Sequence, residues 1–149
     1  MNSAMLALGL LPLLAGASGA AAGPAHLARV IYLDESGALH ATSKHDLTLN
    51  EQGRASGTVA GTIYVHLTVV SSSRVAAEVS IYPSGGSISG YASANYERGD
   101  QQASFTGSLS ISRGTGSYAH ARGTGLSFSG TIQRSNDAVT VRVSGRVSD

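Results

Sequence analysis

The chain has 149 residues, 13% of them charged, and a formal net charge of +1, so it is one domain long and carries no excess of positive charge for a nucleic-acid backbone. Its basic residues stand singly, which excludes a polybasic membrane patch. It has no cysteine, which excludes disulfides, thiolate nucleophiles and cysteine metal sites and leaves apolar burial alone to hold the fold.

The first element is an apolar run over residues 5–14 followed by small residues over 15–23. The run is shorter than the roughly 20 residues needed to span a bilayer, and the small-residue tail fits a signal peptide. Residues 1–22 are therefore read as that signal, with cleavage at Ala20-Ala21-Ala22 or after Ser18-Gly19-Ala20, leaving a secreted, extracellular protein of residues 23–149. A non-cleaved apolar tail and a wrongly assigned start codon are the alternatives. No stable membrane span is expected after processing, and no cysteine follows the run to carry a lipid anchor.

Beyond the signal, 19 glycines and many serines and threonines suit short strands and tight turns. Two weaker strands are expected near residues 29–34 and 39–49. Strict alternation of period two then takes over. It runs through Val59, Gly61, Ile63, Val65, Leu67 and Val69, then through Val75, Ala77, Val79 and Ile81. The phase continues in Ile88, Gly90, Ala92, Ala94 and Tyr96, then in Phe105, Gly107, Leu109 and Ile111. The last two runs are Leu126, Phe128, Gly130 and Ile132, and Val139, Val141, Val143, Gly145 and Val147. That makes about eight strands and little helix.

Turns are expected at residues 34–37, 51–53, 71–73, 83–86, 98–100 and 135–137, each rich in residues that accept tight or left-handed backbone. Connections this short make neighbouring strands antiparallel. Gly61, Gly90, Gly107, Gly130 and Gly145 recur within the apolar phase, where glycine weakens a strand unless the sheet bends or another backbone comes close. A closed barrel explains them best, with a two-sheet sandwich as the competitor. Closure also removes exposed edges.

The segment Gly114-Thr115-Gly116-Ser117-Tyr118-Ala119-His120-Ala121-Arg122-Gly123 lies between two alternating runs. It resembles the Gly-(Ser/Thr)-Gly-x-(Phe/Tyr)-x-x-Ala-x-Gly element of the allene oxide cyclase and dirigent barrel superfamily, and the flanking strands over 105–111 and 126–132 support the likeness. The resemblance covers residues 54–147 and is nearest to small secreted bacterial members of undefined role. It implies an all-β fold, a single closed antiparallel β-barrel of about eight strands, often assembled as a homodimer or homotrimer. It also implies an apolar cavity that orients a small ligand during cyclisation or radical coupling. The motif residues Gly114, Gly116, Tyr118, Arg122 and Gly123 form a structural turn, in which Arg122 is placed to bond loop carbonyls; no catalytic residue is transferred through it.

Among the polar-phase residues, Tyr64, His66, Glu78, Tyr91 and Asn95 are the candidate catalytic set, because three consecutive antiparallel strands place them on one face and a Tyr, a His and a Glu can do acid–base work. Either this face is the solvated outside of a barrel with an aliphatic interior, or it lines a cavity; we take the aliphatic interior. No metal and no cofactor are expected: His26, His40, His45, His66 and His120 form no ligand pattern, and opposite parity on a strand sends His40 and His45 to opposite faces. No serine sits in a nucleophile elbow. The Gly-Thr-Gly turns join strand to strand, with no helix N-terminus for a phosphate. Arg98-Gly99-Asp100 is read as a polar hairpin turn. Two functions follow as expectations: a secreted barrel that binds a small apolar ligand and guides its cyclisation or coupling, or a non-catalytic extracellular or envelope-associated structural protein with a side-chain-filled barrel. An open, partly polar pocket would favour the first, and a packed interior the second.

Overall fold

The computed structural model describes residues 28–149. The signal segment 1–22 and His26 lie outside the described residues. Eight strands follow one another, β1 (Val30–His45), β2 (Thr48–Gly57), β3 (Gly61–Ser71), β4 (Arg74–Pro83), β5 (Gly86–Arg98), β6 (Gln102–Gly116), β7 (Gly123–Gln133) and β8 (Val139–Ser148). Each is antiparallel to its predecessor, and β1 pairs with β8 to close the barrel. The all-β barrel is thus present, with no helix among the described residues.

The alternation sorts the side chains as its period requires. The aliphatic phase points inward: Leu33, Ile63, Val65, Leu67, Val79, Leu109, Ile111, Leu126, Val141 and Val143 are all buried. Phe105 and Phe128 stack at 5.1 Å between ring centroids in the middle of this core. Gly130 makes room for them, because a Cβ there would lie 2.5 Å from Phe105 Cζ and 2.0 Å from the Thr140 carbonyl oxygen. The outward phase is polar and rich in hydroxyls, several paired across strands, such as Ser80 with Ser89 at 2.9 Å and Thr131 with Thr140 at 2.7 Å.

Two expected turns are not turns. Residues 34–37 lie in the middle of β1 and residues 51–53 in the middle of β2, so the two weak strands merge into one strand of 16 residues and a second of 10. The hairpin between them turns at Asp46, whose φ is 50°. The physical reason is pairing: β1 is laddered on one side to β2 and on the other to β8, and this double ladder outweighs the turn preference of Asp, Ser and Gly. The other expected turns fall between strands. The register of β1 against β2 shifts between Ala41 and Ser43, which interrupts the parity that separates His40 from His45; both are exposed.

The motif segment takes in the end of β6, the β6–β7 connection over 117–122 and the first residue of β7. Its backbone turns through hydrogen bonds from Tyr118 N to Thr115 O (3.0 Å), Ala119 N to Gly116 O (3.2 Å) and Ala121 N to Tyr118 O (2.9 Å). Gly116 holds φ at 59°, a left-handed conformation that L side chains resist. The Arg122 guanidinium donates to the Ala121 carbonyl at 2.6 Å, and its backbone bridges to Ser148 beside the C-terminus.

Candidate functional site

Register places the candidate residues. His66 on β3 stands opposite Glu78 on β4, and Glu78 opposite Tyr91 on β5. The row extends further than sequence reasoning carried it. Asn50 on β2 is opposite His66, Ser43 on β1 is opposite Asn50, and Ser110 on β6 is opposite Tyr91. Six strands therefore contribute one residue each to a single line of side chains, with neighbouring strands about 4.8 Å apart. Tyr64 lies one outward position along β3, its ring edge-on to Tyr82 at 5.5 Å. Asn95 does not join the row: it stands opposite Arg74 and Thr106, two outward positions from Tyr91.

The whole row lies on the outside of the barrel. Tyr64 is 44% exposed and Tyr91 55%, and His66, Glu78 and Asn95 are also exposed. His66, Glu78 and Tyr91 edge a shallow depression of about 240 Å³, with Thr68 and Ala76 beside them. The small Ala76 between Thr68 and Ser93 creates this dent.

A hydrogen-bond relay orients the imidazole. Asn50 Nδ2 donates to Ser43 Oγ at 2.8 Å, which leaves Asn50 Oδ1 facing His66 Nδ1 at hydrogen-bond distance. An amide oxygen only accepts, so His66 Nδ1 carries the proton and, in the neutral ring, Nε2 presents a lone pair. Asn50 and Ser43 were missed in the sequence because residues 51–53 read there as a turn; the exposed polar parity of β2, once β2 is a strand, is the signal that finds them.

The second group missed is inside the barrel. Glu35 and Glu51 are only 1% and 2% exposed. They share the inward parity of Leu33, Gly37 and Leu39 and of Leu49, Gly53 and Ala55. Glu35 Oε1 accepts a hydrogen bond from Val59 N, but its Oε2 and both carboxyl oxygens of Glu51 have no partner. Burial raises the Glu35 pKa, opposed by the backbone N–H of Val59, reinforced by the neighbouring Asp34 charge and opposed again by Thr58 N–H. Burial also raises Glu51, with repulsion from Asp137 adding to it, to about 7. A proton is the natural partner of a carboxylate held in such surroundings.

The largest inward side chains are closed off from water-sized space. A void large enough for water would expose the atoms around it, yet Phe105, Phe128, Leu33, Ile63, Leu67, Leu109 and Leu126 are all less than 2% exposed. Two further depressions are on the surface. One of about 550 Å³ adjoins the β6–β7 turn, between Arg29, His120 and Asp149, and one of about 420 Å³ lies between Arg54 and Arg142. Arg142 is held by Asp34 at 3.0 Å. Among the described residues no group of three or more His, Cys, Asp or Glu is placed to hold a metal ion. The chemistry open to the outer row is recognition by an oriented imidazole, a carboxylate and a phenol ring. Water competes there, which weakens each electrostatic contact. No protein-family model matches the chain, and neither the curated proteins nor the solved structures provide a match.

Proposed function

We propose that this chain is an exported, non-catalytic barrel of the allene oxide cyclase and dirigent type whose interior is filled by its own side chains and whose outer face does its work, as an extracellular or envelope-associated structural protein. The observation that carries this reading is the packed interior, with the largest inward side chains less than 2% exposed. The polar outer phase supports it: a barrel crossing a bilayer turns an apolar band outward, whereas this one turns out serine, threonine and arginine. Among the described residues no helix is long and apolar enough to cross a membrane.

A second reading is favoured by one specific feature. A small apolar ligand with a carbonyl or hydroxyl group, guided through cyclisation or coupling, would find in the unpartnered Glu51 a hydrogen-bond donor when that carboxyl is protonated. Native mass spectrometry of protein purified from the medium separates the two. The first reading expects the bare mass of a chain starting near Ala21 or Gly23. A retained apolar adduct selects the second reading, and full-length protein in the cytosol overturns the export that both assume. The homodimer or homotrimer that goes with this barrel type is read from the same spectra.

A further inference from the structure

The outer row combines three things that a flat solvated sheet does not need: a fixed imidazole, unused acceptors and a dent beside an aromatic ring. We propose that His66, Glu78 and Tyr91 bind one pyranose ring of a neutral polysaccharide, an inference that rests on the reading that the outer face carries the function.

His66 spends its Nδ1 proton on Asn50, so Nε2 accepts. Among the described residues Glu78 makes no hydrogen bond and no ion pair, so both its oxygens accept. The ligand that satisfies this set supplies several O–H donors at close spacing, as adjacent ring hydroxyls do. Tyr91 adds an exposed ring of the kind that packs an apolar C–H face while its hydroxyl stays wet.

Size and charge narrow the class further. The depression of about 240 Å³ is below the range of about 300–1,000 Å³ that suits drug-sized ligands, and fits a single ring. Glu78 is the one charged residue that lines it, and Arg74, two outward positions along β4, turns its Nη2 toward Ser93 Oγ at 3.3 Å. The Glu78 carboxylate repels a polyanion, and adjacent ring hydroxyls bring the O–H donors that a quaternary amine lacks. Two residues along β3, about 7 Å away, the exposed Tyr64–Tyr82 pair provides a second ring surface on the same face, which suits a chain of sugars rather than one. The relay from Ser43 through Asn50 holds the imidazole in place before binding, so less ordering is lost on association.

The test is an NMR titration of the ¹⁵N-labelled protein with β-1,4-linked hexaoses of glucose, xylose and N-acetylglucosamine in turn. The expected result is a set of amide shifts confined to the outer row of β3, β4 and β5 for at least one of them, with a Kd on the order of 1 mM or below. Tyr91→Ala should weaken that binding about ten-fold and Glu78→Gln about three-fold or more. Tyr32→Ala, another exposed tyrosine on β1, should leave it unchanged. All three positions are exposed, so unchanged circular dichroism and Tm verify the fold of each variant. Absence of shifts with every hexaose overturns the proposal, as does binding that survives both Tyr91→Ala and Glu78→Gln. Stronger binding of tetramethylammonium than of any hexaose also overturns it, in favour of a cation site. None of these outcomes depends on whether the interior holds a ligand, so the filled-barrel reading stands or falls separately, on the native mass.

Discussion

Stability should fall as pH rises from 5 to 8, because Glu51 is buried without a partner. Its folded pKa is about 7 against an ordinary 4.5. Between these values the folded state keeps a proton that the unfolded chain has released. The unfolded state then binds fewer protons than the native one, and the unfolding free energy declines with pH. The contribution is whole below about pH 4.5, shrinks through the window from 4.5 to 7, and is lost above it. At about 1.4 kcal/mol per pH unit it is worth about 3 kcal/mol, a large fraction of the 5–15 kcal/mol typical of a domain. Glu35, also raised, acts in the same direction. The surface pairs of Asp34 with Arg142 and Asp137 with Lys44 contribute little at their exposure. For a domain of this size the effect is a Tm lower by about 10 °C at pH 8 than at pH 5, measurable by circular dichroism melts in matched ionic strength. Glu51→Gln should remove most of the slope, and Glu51→Leu should raise the Tm at pH 8 above that of the unaltered chain. A flat or rising Tm between pH 5 and 8, or a slope that survives Glu51→Gln, would refute the reasoning.

Two further outcomes test the backbone and the core. Where β6 and β7 flank their connection, Gly114→Val, Gly116→Val and Gly123→Val should each cost about 1–3 kcal/mol. At Gly114 a Cβ would lie 1.8 Å from the Tyr118 carbonyl oxygen, at Gly116 φ is 59°, and at Gly123 a Cβ would meet Arg146 O at 2.8 Å. Unchanged Tm values for all three would show that the turn tolerates side chains. On β3, Leu67→Asp buries a charge without a partner and should abolish the folded signal, while Thr68→Asp, one residue on and outward, should leave it nearly intact. The reverse pattern would mean that the polar phase lines the barrel.

Strands β3 to β8 and their aliphatic interior were legible in the sequence because alternation is a local property: once a segment is extended, parity alone sends Val65, Leu109 and Val141 to one side and His66, Ser110 and Arg142 to the other. The same parity brought His66, Glu78 and Tyr91 onto one face, since short hairpins between consecutive strands leave little freedom of register. What the tertiary structure alone decided lies in β1 and β2. Asp34-Glu35-Ser36-Gly37 carries the residues of a turn, and only pairing with β8, more than 100 positions away in the chain, holds it extended. That long-range ladder closes the barrel and turns Glu35 inward, against its preference for water. The β2–β3 ladder turns Glu51 inward in the same way and sets Asn50 beside His66. Local composition measures how a residue prefers to be solvated, whereas a closed sheet fixes where its backbone must run, and at these positions the backbone hydrogen bonds prevailed.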